Sequence, residues 1–198
     1  MLEADLALQR LKEGNELFRS GSSHIEVDEA DRLELVEKQN PFAIVLGCSD
    51  SRIPPELIFG QGLGDLFVIR VAGNIAAPSQ IGSIEFAEEK FGTKLIVVLG
   101  HSFCGAIKAT IEELESPSEG SSPNLQVIVN SIKHGVEASL INGDSFDDKV
   151  AKAVRANVQS TIDELTNKSE ILKHKVAEEG LKIVGAEYCL ETGVVEFF

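Results

Sequence analysis

The chain has no tryptophan, one tyrosine, one methionine, four histidines and three cysteines in 198 residues. Cysteines so few, and odd in number, exclude a disulfide framework; thiols kept reduced for a metal or for catalysis fit better. Cations are scarce as well, with 18 Lys and Arg against 32 Asp and Glu and a formal net charge of −14. A nucleic-acid backbone is therefore a poor partner, because phosphate binding takes clustered Lys and Arg. No apolar run approaches the roughly 20 residues that span a bilayer. The opening MLEADLALQRLKEG has acids among its first five residues and lacks the apolar core of a secretory signal. The expectation is a soluble cytoplasmic protein with neither nucleic acid nor membrane as partner. Hydrophobic residues at 43% and charged ones at 25% suffice for one well-buried core.

Leu2, Leu6, Leu11 and Phe18 recur among charges at mostly helical spacing, so residues 2–19 are expected to form an amphipathic helix. A second helix is expected over 28–38, capped by Asp28 and ended by the Asn-Pro pair at 40–41. Neither resembles a core element of a parallel sheet, and residues 1–40 read as a helical arm before a domain over 41–198. From Pro41 the character changes. AIVLG at 43–47, DLFVIRVAG at 65–73, KLIVVLG at 94–100 and LKIVGAEY at 181–188 are short, β-branched and almost continuously apolar, as strands covered on both faces are. Helical segments at 80–91, 105–115 and 148–178 fall between them. The order implies an α/β fold with a parallel central sheet of four strands, flanked by helices. The closing ETGVVEFF has a turn and then alternation, which adds a short antiparallel edge strand. SPSEGSSPN at 116–124 has the composition of a surface loop.

The chemistry-bearing residues follow two of these strands. Cys48 comes just after the first, in GCSDSR, and His101 and Cys104 come just after the third, in GHSFCG, three apart where a turn enters a helix, the i, i+3 spacing that lets two side chains face one ion. Ligands in open α/β sheets gather at the carboxyl ends of strands. Two thiolates and an imidazole are soft donors suited to tetrahedral zinc, and a set of three leaves one place open. Such a site is the catalytic pattern, because water in the open place becomes acidic enough to ionise near neutral pH. A single buried cysteine is more often core filler, and Cys189, with no histidine near it, is read that way. His24, His134 and His174 lie among polar residues and are read as surface groups. Asp50 and Arg52 follow Cys48 closely. By themselves they would be a turn with a surface ion pair; beside zinc, Asp50 becomes a fourth ligand or a proton acceptor, with Arg52 keeping it ionised.

CSDSR, then IPPELIFGQGLGDLFVIRVAGN, IGSIEFA and LIVVLGHSFCGAIKA, resemble the β-class carbonic anhydrases from about Gln39 to Lys108, with a weaker echo in YCLETGVVEF. The pattern is closest to the plant-like, non-allosteric subgroup. The resemblance implies one zinc per chain on Cys48, His101 and Cys104, an Asp50–Arg52 dyad beside it, and reversible hydration of CO2 to bicarbonate and a proton. It also implies a homodimer or higher oligomer embraced by the N-terminal arm, with clefts at the subunit boundary. Gln39 matches a glutamine that bonds substrate, Phe67 matches an apolar wall for CO2, and the Gly105 amide is placed to meet a developing anion. Where plant-like members carry tyrosine, this chain has Phe86. Hydrolysis of carbon disulfide or carbonyl sulfide on the same scaffold, and a purely structural zinc module, are the alternatives.

One subgroup of the family uses a tryptophan three residues before the first zinc cysteine, with an arginine and a tyrosine, to bind bicarbonate and favour an inactive form. Arg70 and Tyr188 stand as candidates for the last two, but Val45 occupies the tryptophan's place. The switch is expected to be absent.

Overall fold

A computed structural model describes residues 2–117, 122–140 and 143–198. Strands β1 (Ala43–Gly47), β2 (Leu66–Arg70), β3 (Leu95–His101), β4 (Lys182–Tyr188) and β5 (Val195–Phe197) form one sheet in the order β2-β1-β3-β4-β5. The first four are parallel, and β5 runs antiparallel to β4 with Tyr188 opposite Val195. Every residue of β1 and β3 is buried, which their unbroken apolarity requires. Alternation splits them between two cores. Val45, Val97 and Leu99 join one apolar cluster, and Ile44, Leu46, Ile96 and Val98 join the other.

Helix α1 (Ala4–Arg19) lies on the first of these cores, with Ala7 and Leu11 fully buried. It is fastened by close backbone approach. A Cβ on Gly14 would lie 1.8 Å from the Phe59 carbonyl oxygen, next to α3 (Pro55–Ile58). Asn15, one residue on, donates to the Ile58 and Gly193 carbonyls and accepts from the Val195 amide. Gly14→Ala is therefore expected to cost about 3 kcal/mol, the upper end for overpacking, and to lower Tm by roughly 6–12 °C at about 2–4 °C per kcal/mol. An unchanged melting curve would show that α1 does not rest on Phe59.

Helix α2 is shorter than expected, Glu29–Glu34, with no buried residue. Asp28 caps it through a reciprocal box with Asp31, but Leu35 ends it well before Asn40. Next come α4 (Pro78–Phe91), α5 (Gly105–Glu115) and α6 (Pro123–Val136). The segment read as a loop over 116–124 gives way to α6 at its end: Ser122 caps the helix and Pro123 fills its first turn, where a missing N–H costs nothing. Residues 118–121 of that segment lie outside the described residues. The helix expected over 148–178 is two, α7 (Phe146–Lys168) and α8 (Glu170–Glu178). Ser169 separates them with extended backbone, accepting from the Leu172 amide and so capping α8. The strand expected to reach residue 73 stops at Arg70, because Gly73 (φ 69°) and Asn74 (φ 45°) turn the chain into a short helical turn over Ala72–Asn74. No helix among the described residues is long and apolar enough to cross a membrane.

Candidate metal centre

Strand β1 is followed in sequence by β2 on one side, while β3 lies on its other side, so the carboxyl ends of β1 and β3 flank the crevice where the strand order reverses. Cys48 stands just past β1, His101 is the last residue of β3, and Cys104 precedes α5. Their ligand atoms all lie within 4.8 Å of one another, and all three residues are buried. The His-x-x-Cys spacing does not close the site by helical geometry. Phe103 takes a left-handed conformation at φ 58°, a costly state for a non-glycine residue, and so turns the chain sharply between His101 and Cys104.

His101 is fully buried, and its Nδ1 lies 2.9 Å from the Ser102 carbonyl oxygen, which fixes that nitrogen as the donor. Its Nε2 is buried with no hydrogen-bond partner among the described residues. An orphaned imidazole nitrogen facing two thiols is what a soft tetrahedral ion needs, so the residues fit zinc. The Cys104 thiol beside Cys48, with help from His101 and the Gly73 amide, pulls the Cys48 thiol well below the ordinary thiol range against the effect of burial. Cys104, on the other side of that contact and deeply buried, is pushed up.

Asp50 is held beside this cluster without joining it. Arg52 grips its carboxylate with Nε at 2.9 Å and Nη2 at 2.7 Å, and the Arg52 amide adds a bond at 3.0 Å. The Arg52 side chain is the main reason that the Asp50 carboxyl lies far below the usual carboxylate range. Asp50 Oδ2 is 3.9 Å from His101 Nε2. Arg70, on β2, donates to the carbonyls of Cys48 at 3.0 Å and Asp50 at 2.5 Å, pinning the loop that carries both. Nothing in the sequence singled Arg70 out for this task.

Gly105 opens α5 with open space beside it. Gln39 and Phe67 are placed elsewhere. Gln39 lines a depression with Val36, Phe86, Lys90 and Phe91. Phe67, on β2, packs on Phe86 and Phe91 at centroid distances of 6.3 and 6.0 Å, within the second core. Cys189 is a free, partly exposed thiol outside the cluster.

The carbonic anhydrase family model matches residues 43–195. A carbonic anhydrase of Mycolicibacterium smegmatis is 37% identical over 197 residues, covering 96% of this chain and 91% of the relative. Carbonic anhydrase 2 of Mycobacterium tuberculosis is 35% identical over 194 residues, covering 94% and 89%. Among solved structures, a β-carbonic anhydrase of Aspergillus fumigatus superposes with a TM-score of 0.75 at 27% identity, covering 84% and 79%. A tetrameric β-carbonic anhydrase of Sordaria macrospora gives 0.70 at 26% identity, covering 84% and 85%.

Proposed function

The chain belongs to the β-class carbonic anhydrase family, and on that premise we propose that it converts CO2 and water to bicarbonate and a proton at the Cys48–His101–Cys104 centre. The carrying observation is a three-donor cluster with Asp50 held off by Arg52, which leaves the fourth place to water. Zinc bound there supplies a Lewis acid that brings the ionisation of water near neutral pH. Asp50, kept ionised and clamped by Arg52, would accept a hydrogen bond from a water held there and so orient it. The Gly105 amide, at the start of α5, is a donor toward the oxygen that gains charge. Relatives named carbonic anhydrase favour CO2 over its sulfur analogues. Stopped-flow hydration should vanish on chelation and return with zinc. A zinc-loaded protein without hydration activity would sink the assignment.

Gln39 serves this chemistry if a second copy brings its depression, floored by the Phe86 and Phe91 rings on which Phe67 packs, to the ligand cluster. We therefore assign the chain to a homodimer or larger assembly with clefts at the boundary, in which residues 1–40 act as the embracing arm. Exposed Val36 and Phe86 around Gln39 support this reading, as does the tetrameric relative. Because α1 also covers the chain's own core, deleting residues 1–38 is expected to give aggregated, inactive protein. A soluble, monomeric and fully active truncation would refute the arm. The cytoplasm is the proposed location, supported by three free cysteines.

The bicarbonate switch is expected to be absent, as in the non-allosteric subgroup. Val45 is fully buried in the core, and the Arg70 guanidinium is committed to two backbone carbonyls. Two of the five Arg70 N–H donors are held this way, so an anion would meet a guanidinium already anchored to the loop, and a ligand shifts an equilibrium only through its differential affinity. Rates should follow a smooth pH curve without cooperative loss below about pH 8. A sigmoidal collapse that added bicarbonate deepens would contradict this.

A further inference from the structure

Helix α7 buries a stripe of Val150, Ala153, Val154, Asn157, Val158, Thr161 and Leu165. Two polar side chains in an apolar stripe are unfavourable unless they meet partners. Both do, on one turn of backbone. Asn157 Nδ2 donates to the Gly73 carbonyl at 2.8 Å, and Thr161 Oγ1 donates to the Asn74 carbonyl at 3.3 Å. Residues four apart on a helix share a face, so α7 presents this pair of donors to two successive carbonyls.

That turn reaches the metal centre from its other side. The Gly73 amide donates to Cys48 Sγ at 3.4 Å in a buried contact. Gly73 and Asn74 are both left-handed, and for Asn74 that conformation costs of order 1–3 kcal/mol unless the surroundings impose it. The surroundings supply part of that: Asn74 is buried and its carbonyl is held by Thr161, while at position 73 only glycine fits, because a Cβ there would lie 2.6 Å from Ile132 and 3.3 Å from Ala106. With the dihedrals of Gly73 fixed, holding its carbonyl also fixes the direction of its amide.

We propose that Asn157 is a positioning residue for the metal centre: by gripping the Gly73 carbonyl it aims the Gly73 amide at Cys48 Sγ and sets the donor strength of that sulfur. The inference rests on Cys48 being a metal ligand. An N–H bond to a thiolate draws electron density from sulfur, and partners of ligands commonly govern both affinity and electronic character. Asn157 touches neither substrate nor metal and acts only through Gly73.

The test uses the full chain with cobalt in place of zinc, read by the thiolate-to-cobalt charge-transfer band, together with zinc affinity from chelator competition. Asn157→Leu, which keeps the branched outline and removes the donor, and Asn157→Ser, a smaller variant, are expected to move the band to longer wavelength and to weaken zinc by about 10–100-fold. Val158→Ala, a cavity on the same helix, should lower Tm and leave the band in place. Folded Asn157 variants with the wild-type band and affinity would overturn the proposal, as would an equal shift in Val158→Ala. A second reading needs no variant: with cadmium bound, the Gly73 amide proton should show spin coupling to the metal through sulfur, and no coupling overturns the contact. Wild-type protein lacking any thiolate–cobalt band would overturn the ligand set itself, whereas a band that the variants leave unmoved overturns only the role of Asn157.

Discussion

Cys48→Ser, His101→Ala and Cys104→Ser each lose zinc and CO2 hydration together, while Cys189→Ser keeps both. Among the described residues three donors converge, so each supplies a large share of the affinity. If a structural zinc site is worth about 10–16 kcal/mol, removing one ligand of three forfeits roughly 3–5 kcal/mol, or about 10²–10⁴-fold in affinity. His101 carries an added cost, because its substitution also removes the Nδ1 contact that ties the end of β3 to the Ser102 carbonyl. Cys189 follows β4 and bonds to Thr192, which lowers its thiol without bringing it to the cluster. Metal analysis beside stopped-flow rates checks all four variants. Full zinc in Cys48→Ser would remove that residue from the ligand set, and lost zinc in Cys189→Ser would put the wrong thiol in its place.

The centre was legible in the sequence because its ligands sit at the ends of the two most continuously apolar strands, where chain order and sheet order part company. Apolar runs covered on both faces identify central strands, and central strands mark the crevice. The turn chemistry was not legible in the same way. His-x-x-Cys reads as one helical turn, yet a left-handed Phe103 does the work, and nothing in the residue type announces it. Ser169 lies inside a run of helical periodicity, so its role as a cap shows only in its extended backbone and its bond from the Leu172 amide. Ser122-Pro123 has loop composition and is a helix start, an ambiguity that composition cannot resolve. Asn157 was least legible of all. Its partner carbonyl is 84 residues away, in a turn that exists because Gly73 and Asn74 are held left-handed.

Arg52→Ala is expected to lower kcat/KM by about 10²–10⁴-fold, the range for losing a positioned acid–base group, while zinc stays near one per chain. The guanidinium matches the carboxylate of Asp50 with two parallel bonds, a planar grip that lysine cannot reproduce, so Arg52→Lys should restore little. Arg52 lowers the pKa of Asp50, so the carboxylate is ionised throughout the working range and protonates only in strong acid. Without Arg52 that pKa rises toward the ordinary carboxylate value and the side chain is free to turn. Its Oδ2 already lies 3.9 Å from His101 Nε2, so a released Asp50 would be near enough to the ligand cluster to compete with water for a metal held there. The pair is partly exposed, and exposed ion pairs add little to stability, so Tm should stay close to wild type. Loss of zinc in Arg52→Ala, or a wild-type rate, would contradict this account. The double variant Asp50→Ala/Arg52→Ala decides between a unit and two separate groups. If Arg52 acts only by holding Asp50, the double variant is no slower than Asp50→Ala alone; losses that multiply would give Arg52 a role of its own.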